Sequence, residues 1–168
     1  MKAYLGLGSN MGDREGNLRR AIEAIGQLPC TSVEAVSSII ETEPDGEWER
    51  GAGNEAASGE KSGKCGKIGK GGKFLNCCIR IGTGIPPRAL LRMVKEIETA
   101  MGRPQRPIKK NEEGRRIYSD RPIDIDILLY GRRVVNDPDL QIPHPRMTER
   151  DFVMQPLREI LPGGLQSA

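Results

Sequence analysis

The sequence predicts an α+β fold, a ferredoxin-like βαββαβ antiparallel sheet with helices packed on it. Two observations support this prediction. Four stretches rich in apolar or β-branched residues are typical of strands, and two stretches with helical spacing lie between them in the required order. The chain of 168 residues is also long enough to bury a core, so we expect a single domain over residues 1–168.

The first half supplies one strand, one helix and two further strands. KAYLGLG is a short apolar strand that runs into a glycine cluster, where we expect a tight turn into the helix. Asn10 or Asp13 is placed to cap that helix. Its apolar residues recur every three or four positions, at Leu18, Ile22, Ile25 and Leu28. Residues 31–44 predict one strand ending at a proline, and residues 73–83 predict the next.

The second half supplies a helix, a strand and a last helix. Residues 86–102 begin with two prolines, end on a glycine and predict an amphipathic helix. The fourth strand follows at 120–130. Residues 148–160 predict a further amphipathic helix, which contains Pro156.

Two long segments between these elements lack the apolar content of a core. Residues 45–73 contain nine glycines and form a Gly/Lys-rich insertion, and residues 103–121 contain five arginines and two lysines. Connections of this length are usually functional or disordered. We therefore expect two long mobile loops.

Composition and charge narrow the classes of function. A net charge of +3 permits an anionic ligand such as a nucleotide without requiring nucleic acid. One histidine, and four cysteines without C-x-x-C spacing, argue against a zinc site and favour a reducing, cytoplasmic setting. The N-terminal sequence lacks an apolar stretch long enough for a signal peptide or a membrane span, so we expect no membrane association.

The stretch DRPIDIDILLY, residues 120–130, carries two carboxylates on one face of a strand. With a period of two, Asp124 and Asp126 lie about 6.6 Å apart, opposite Ile123 and Ile125. Like charges this close are unfavourable without a cation. One interpretation is a solvated strand face. The other is a magnesium site, because the basic segment ends nearby and Mg²⁺ takes carboxylate and phosphate oxygens as ligands.

The common nucleotide and RNA motifs are missing from the sequence. GLGSNMG has the spacing G-x-G-x-x-x-G, and no G-K pair of the insertion is followed by Ser or Thr. No stretch matches the aromatic pattern of an RNA-recognition domain. The sole histidine, His144, lies in a proline-flanked turn close to Arg146 and Arg150, which by itself is a weak indication of a site.

Six stretches together carry a resemblance to one enzyme family: YLGLGSNMGDREGNL, VSSIIETEP, FLNCCIRI, IETAMGR, RPIDIDILLYG and IPHPRMTERDFVMQPLREI. They resemble hydroxymethyl-dihydropterin pyrophosphokinase of folate biosynthesis and cover nearly the whole chain outside the two long segments. The resemblance implies transfer of a pyrophosphoryl group from ATP to the hydroxymethyl oxygen of a reduced pterin, with release of AMP. It also implies ATP as co-substrate, two Mg²⁺ ions and small-molecule partners only. We expect a monomeric, cytoplasmic enzyme that binds neither nucleic acid nor membrane.

The resemblance further implies catalytic residues. Asp124 and Asp126 are expected to hold both metal ions against the triphosphate. Arg103 and Arg121, at the two ends of the basic catalytic loop 103–121, match family arginines that close over the phosphates. Tyr118 stands where the family commonly has a tryptophan.

Binding residues are implied in the same way. The ATP side is expected to comprise Glu98, Ile127, His144 and Arg150. The pterin ring is expected between Phe74 and Phe152, with its polar edge read by Asn76, Thr42 and Pro44. The competing hypothesis is a non-catalytic ferredoxin-like module that binds RNA or another polyanion through the Gly/Lys-rich insertion.

Overall fold

The computed structural model describes residues 1–45, 47–49, 68–69, 72–103 and 109–163. Three α-helices lie in these ranges: α1 Arg14–Gly26, α2 Pro87–Ala100 and α3 Asp151–Ile160. The strands are β1 Lys2–Ser9, β2 Thr31–Val36, β3 Ile40–Thr42, β4 Glu47–Glu49, β5 Ile68–Gly69, β6 Phe74–Thr83, β7 Lys109–Lys110, β8 Arg116–Tyr118, β9 Asp124–Tyr130, β10 Val135–Asn136 and β11 Gln141–Ile142. No helix within these ranges is both long and apolar enough to cross a membrane.

The main sheet has the strand order β2-β6-β1-β9, and β3 also pairs with β6. Every one of these pairings is antiparallel, which confirms the predicted antiparallel sheet. The prediction of a single strand over 31–44 is wrong, because this stretch divides into β2 and β3. Between them, the Ser37 hydroxyl accepts a hydrogen bond from the Cys78 backbone N–H. The backbone N–H and the hydroxyl of Ser38 both donate to the Glu159 carboxylate of α3.

Both faces of the main sheet are covered, by different helices. The larger core cluster joins α1 and α2 to one face through Leu18, Leu90, Cys77 and Ile125. A second cluster joins α3 to the other face and contains Cys78. The neighbouring cysteines therefore point to opposite faces, as the period of a strand requires.

Asp13 caps α1, since its carboxylate accepts a hydrogen bond from the Gly16 backbone at 3.0 Å. The tight turn before the helix is made at Gly12, whose φ is +69°. Gly6 and Gly8 lie inside β1, which confirms the predicted strand KAYLGLG.

A second, smaller sheet forms from parts of the two segments predicted as loops. Its strand order is β5-β4-β8-β7, and β4 pairs with β8 in parallel. The prediction of unbroken loops therefore fails for these described parts. Each segment supplies one antiparallel pair, β4 with β5 and β7 with β8, and the parallel pairing of β4 with β8 joins the two segments. The remainder of both predicted loops, including Cys65, lies outside the described residues.

Candidate active site

A cavity opens on the face of the main sheet that carries α3. Its floor is formed by β1, where Gly8 lies directly across from Asp124, and Gly6 lies across from Asp126. A Cβ on Gly8 would come within 2.9 Å of Asn76 Oδ1 and 3.3 Å of Phe74 Cδ1. The glycine therefore keeps this space open. Eight of the residues expected at a site line the cavity: Thr42, Phe74, Asn76, Arg121, Asp124, Asp126, Arg150 and Phe152.

A second cavity lies beside α2, at the sheet edge formed by β9. Among the residues expected on the ATP side, it is lined by Ile127 and His144, and Lys95 of α2 also faces it. Asp126 lines both cavities, so the two cavities adjoin at this residue. Burial and the nearby Arg150 lower the pKa of His144, which favours the neutral imidazole.

Two arginines hold the Asp124 carboxylate. Arg103 Nη1 lies 2.5 Å from Asp124 Oδ1, and Arg121 Nη1 lies 3.1 Å from Asp124 Oδ2. Burial alone would raise the pKa of Asp124, but the charges of Arg121 and Arg103 outweigh it and lower the pKa to about 2. Asp124 is therefore a carboxylate already balanced by positive charge.

Asp126 is in the opposite electrostatic situation. Its carboxylate makes no hydrogen bond or ion pair with any other described residue. Burial, followed by the charge of Asp124, raises the pKa of Asp126 to about 7. A cation at the meeting point of the two cavities would relieve this repulsion.

Glu98 lies on the buried side of α2 and lines neither cavity. Its Oε1 accepts a hydrogen bond from the Ile125 backbone at 2.7 Å and lies 2.7 Å from Arg103 Nη1. Its Oε2 lies 3.2 Å from Lys95 Nζ. Glu98 thus joins α2 to β9 between Asp124 and Asp126 and pairs with Arg103. Its expected role on the ATP side stays a prediction.

The other end of the first cavity is aromatic. Phe74 and Phe152, both half-buried, line it there. Asn76 and Thr42 line the same cavity, and Asn76 Nδ2 donates a hydrogen bond to Thr42 Oγ1 at 2.7 Å. Pro44 itself does not line the cavity, although Glu43 and Asp45 on either side of it do.

Arg150 and Tyr118 complete the walls. The Arg150 guanidinium lies 5.5 Å from the Phe152 ring centroid, and its Nε is 3.7 Å from Asp45 Oδ2. The Tyr118 ring lies 5.6 Å from the Arg121 guanidinium. The sequence did not point to Lys95, because the helical spacing of apolar residues identifies only the residues of α2 that face the core.

Comparison with known proteins gives a consistent result. A family model described as 7,8-dihydro-6-hydroxymethylpterin-pyrophosphokinase (HPPK) matches residues 4–162. The chain is 36% identical to the 2-amino-4-hydroxy-6-hydroxymethyldihydropteridine pyrophosphokinase of Bacillus subtilis (strain 168), over 94% of this chain and 77% of the relative. Identity to the enzyme of the same name from Aquifex aeolicus (strain VF5) is 35%, over 95% of this chain and 79% of the relative.

Solved structures share the fold. A crystal structure of HPPK-DHPS in complex with substrates superposes with a TM-score of 0.58 at 17% identity, covering 96% of this chain and 42% of that one. The Plasmodium falciparum HPPK-DHPS gives a TM-score of 0.53 at 17% identity, covering 91% and 39%. This chain therefore spans about two fifths of these longer chains.

Proposed function

We infer that this chain, which belongs to the 7,8-dihydro-6-hydroxymethylpterin-pyrophosphokinase family, transfers a pyrophosphoryl group from ATP to the hydroxymethyl group of 6-hydroxymethyl-7,8-dihydropterin. The products are AMP and the pterin diphosphate of folate biosynthesis. Neither the family match nor the relatives support the alternative of an RNA- or polyanion-binding module.

The observation that best supports this reaction is the junction of the two cavities at Asp126. One cavity offers two aromatic rings and an amide, which suits a flat heterocycle with a polar edge. The other is bordered by Lys95 and His144, which suits a nucleotide. Substrates bound in both would bring their reacting groups together at the paired aspartates.

The donor set at this junction fits divalent cations. Asp124 and Asp126 offer carboxylate oxygens, and the Asp126 carboxylate lacks a cationic partner within the described part of the chain. We propose that these two residues hold two Mg²⁺ ions, with water and phosphate oxygens as the other ligands. When bound, the ions would neutralise phosphate charge and stabilise the negative charge that develops during transfer.

The remaining residues are proposed to bind and orient the substrates. Arg103 and Arg121 would supply charge to the phosphates. On the ATP side we place Ile127, His144 and Arg150, with Glu98 acting through Arg103. Since transfer of phosphoryl groups depends mainly on positioning and charge neutralisation, no side chain is assigned as a general base.

On the pterin side, Phe74 and Phe152 would stack on the two faces of the ring. Asn76 would read the polar edge of the pterin together with the chain near Thr42 and Pro44. The Asn76–Thr42 hydrogen bond fixes the amide in advance, which reduces the entropy lost on binding.

We further propose that residues 1–168 form a single pyrophosphokinase domain that acts as a cytoplasmic monomer. The strand order β2-β6-β1-β9, with α1 and α2 in its two crossovers, supports a ferredoxin-like topology. Light scattering of the purified protein measures its mass in solution and so tests whether it is a monomer.

The activity is tested by incubation with ATP, Mg²⁺ and the pterin alcohol, with nucleotide products separated by chromatography. We expect AMP to appear in step with the pterin diphosphate. Omission of the pterin serves as the control for hydrolysis. Release of ADP in place of AMP, or tight binding of mixed RNA without any AMP, would contradict the proposal.

The aromatic pair gives a separate prediction. Replacing Phe74 or Phe152 by Ala is expected to weaken binding of the pterin about tenfold, because each ring supplies one stacking surface. The affinity for a non-hydrolysable ATP analogue should change less than twofold. Calorimetric titration measures both, and Phe→Tyr at the same positions is the matched control that keeps the ring. Equal losses for both ligands would argue against stacking.

A further inference from the structure

Asn10 is a buried polar residue that has no part in the proposed reaction. It follows the last residue of β1, and only 7% of its surface is exposed. Sequence reasoning considered it only as a helix cap, but Asp13 fills that role. Its side chain instead contacts the C-terminal ends of the two long segments. These contacts are with Gly72 in the insertion and with Asp120 and Arg121 in the basic loop.

Every polar atom of the Asn10 amide has a partner. Oδ1 accepts a hydrogen bond from the Arg121 backbone N–H at 2.8 Å. Nδ2 donates to Asp120 Oδ1 at 2.8 Å and to the Gly72 carbonyl at 3.3 Å. The backbone N–H of Asn10 also donates to the Arg121 carbonyl, at 3.3 Å. Arg121 is therefore held by hydrogen bonds at both its N–H and its C=O.

Gly72 is pressed closely against this residue. A Cβ at Gly72 would lie 3.0 Å from the Asn10 carbonyl oxygen, so a side chain there would displace the backbone. The Gly72 N–H also faces Asp120 Oδ1, at 3.4 Å. The Asp120 carboxylate thus accepts hydrogen bonds from both Asn10 and Gly72, and so links the end of β1 to the end of the insertion.

The consequence concerns the Arg121 side chain. Its guanidinium reaches Asp124 from a backbone that lies three residues after the end of β8 and three residues before the start of β9. Because the reach of a side chain starts from its Cα, holding the backbone at residues 120–121 restricts the positions that the Arg121 guanidinium can take, and its ion pair with Asp124 then sets its direction.

We propose that Asn10, with Asp120 and Gly72, is a positioning site for Arg121, which orients that arginine toward the nucleotide's phosphates. The inference rests on the proposed function for the role of Arg121. A buried asparagine that only stabilises the fold would affect binding of both substrates alike, whereas a positioning residue for Arg121 affects the nucleotide selectively.

Asn10→Ala is the direct test. We expect the affinity for a non-hydrolysable ATP analogue to fall about tenfold, while pterin affinity stays within about twofold. Hydrogen exchange of the backbone N–H of Arg121, followed in peptides over 117–124, should accelerate about tenfold. Glu96→Gln, an exposed change on α2, is the control.

Asp120 supplies a second test that does not disturb the core. Asp120→Asn and Asp120→Ala remove the same charge, but only Asn keeps an oxygen that can accept from Asn10. We expect the Ala variant to bind the ATP analogue about threefold more weakly than the Asn variant. Equal affinity in this pair, or unchanged exchange at Arg121 in folded Asn10→Ala, would overturn the proposal even if the wild-type protein forms AMP. A wild-type protein that forms no AMP would instead reject the proposed function.

Discussion

Asp126→Asn is expected to lower the rate of AMP release by about 1,000-fold while leaving the protein folded. The change keeps the shape of the side chain and removes the negative charge at the junction of the two cavities. Because burial and Asp124 already disfavour the charged carboxylate, the free energy of unfolding should stay the same or increase. Chemical denaturation and a single-turnover assay together measure both quantities.

Asp124→Ala should also abolish AMP release, but with a different effect on stability. Removing this carboxylate leaves the guanidinium groups of Arg103 and Arg121 without a shared partner, so the free energy of unfolding should fall. Glu15→Gln, which breaks only an exposed pair on α1, is the control and should change neither quantity. Substantial AMP release by Asp126→Asn would refute a metal-binding role for this residue.

The parts of the structure that follow from short-range patterns could be predicted from the sequence. Alternation placed Asp124 and Asp126 on one face of a strand, and helical spacing identified α1 and α2. These features depend only on neighbours within one turn or one strand. The grouping of the cavity residues came from the family resemblance, which carries information about contacts that spacing does not.

The features that could not be predicted depend on long-range pairing. β4 and β8 are each only three residues long, too short to be recognised singly, and each has a second partner in the other long segment. Asn10 meets a backbone 111 positions away, so no local pattern distinguishes it from a helix cap. Likewise, Gly8 is required by Asn76 on the neighbouring strand, not by a turn.

Glu98 offers the clearest test of how the fold supports the site. Glu98→Ala is expected to lower the free energy of unfolding by about 3 kcal/mol, because it removes one of the two carboxylates that pair with the mostly buried Arg103 guanidinium. It also removes the acceptor for the Ile125 N–H, which then has no partner from α2. Urea denaturation monitored by circular dichroism measures the change.

Two further variants separate the contributions of Glu98. Glu98→Gln keeps an oxygen for the Ile125 N–H but loses the charge that pairs with Arg103, so it should cost about half as much as Ala. Glu96→Ala, on the exposed face of the same helix, should change stability by less than about 0.5 kcal/mol. If Glu98→Ala were as mild as Glu96→Ala, the ionic link between α2 and β9 would contribute nothing. The Asp124 carboxylate alone would then hold Arg103 in place. The positions of the charged groups at the site would not depend on α2.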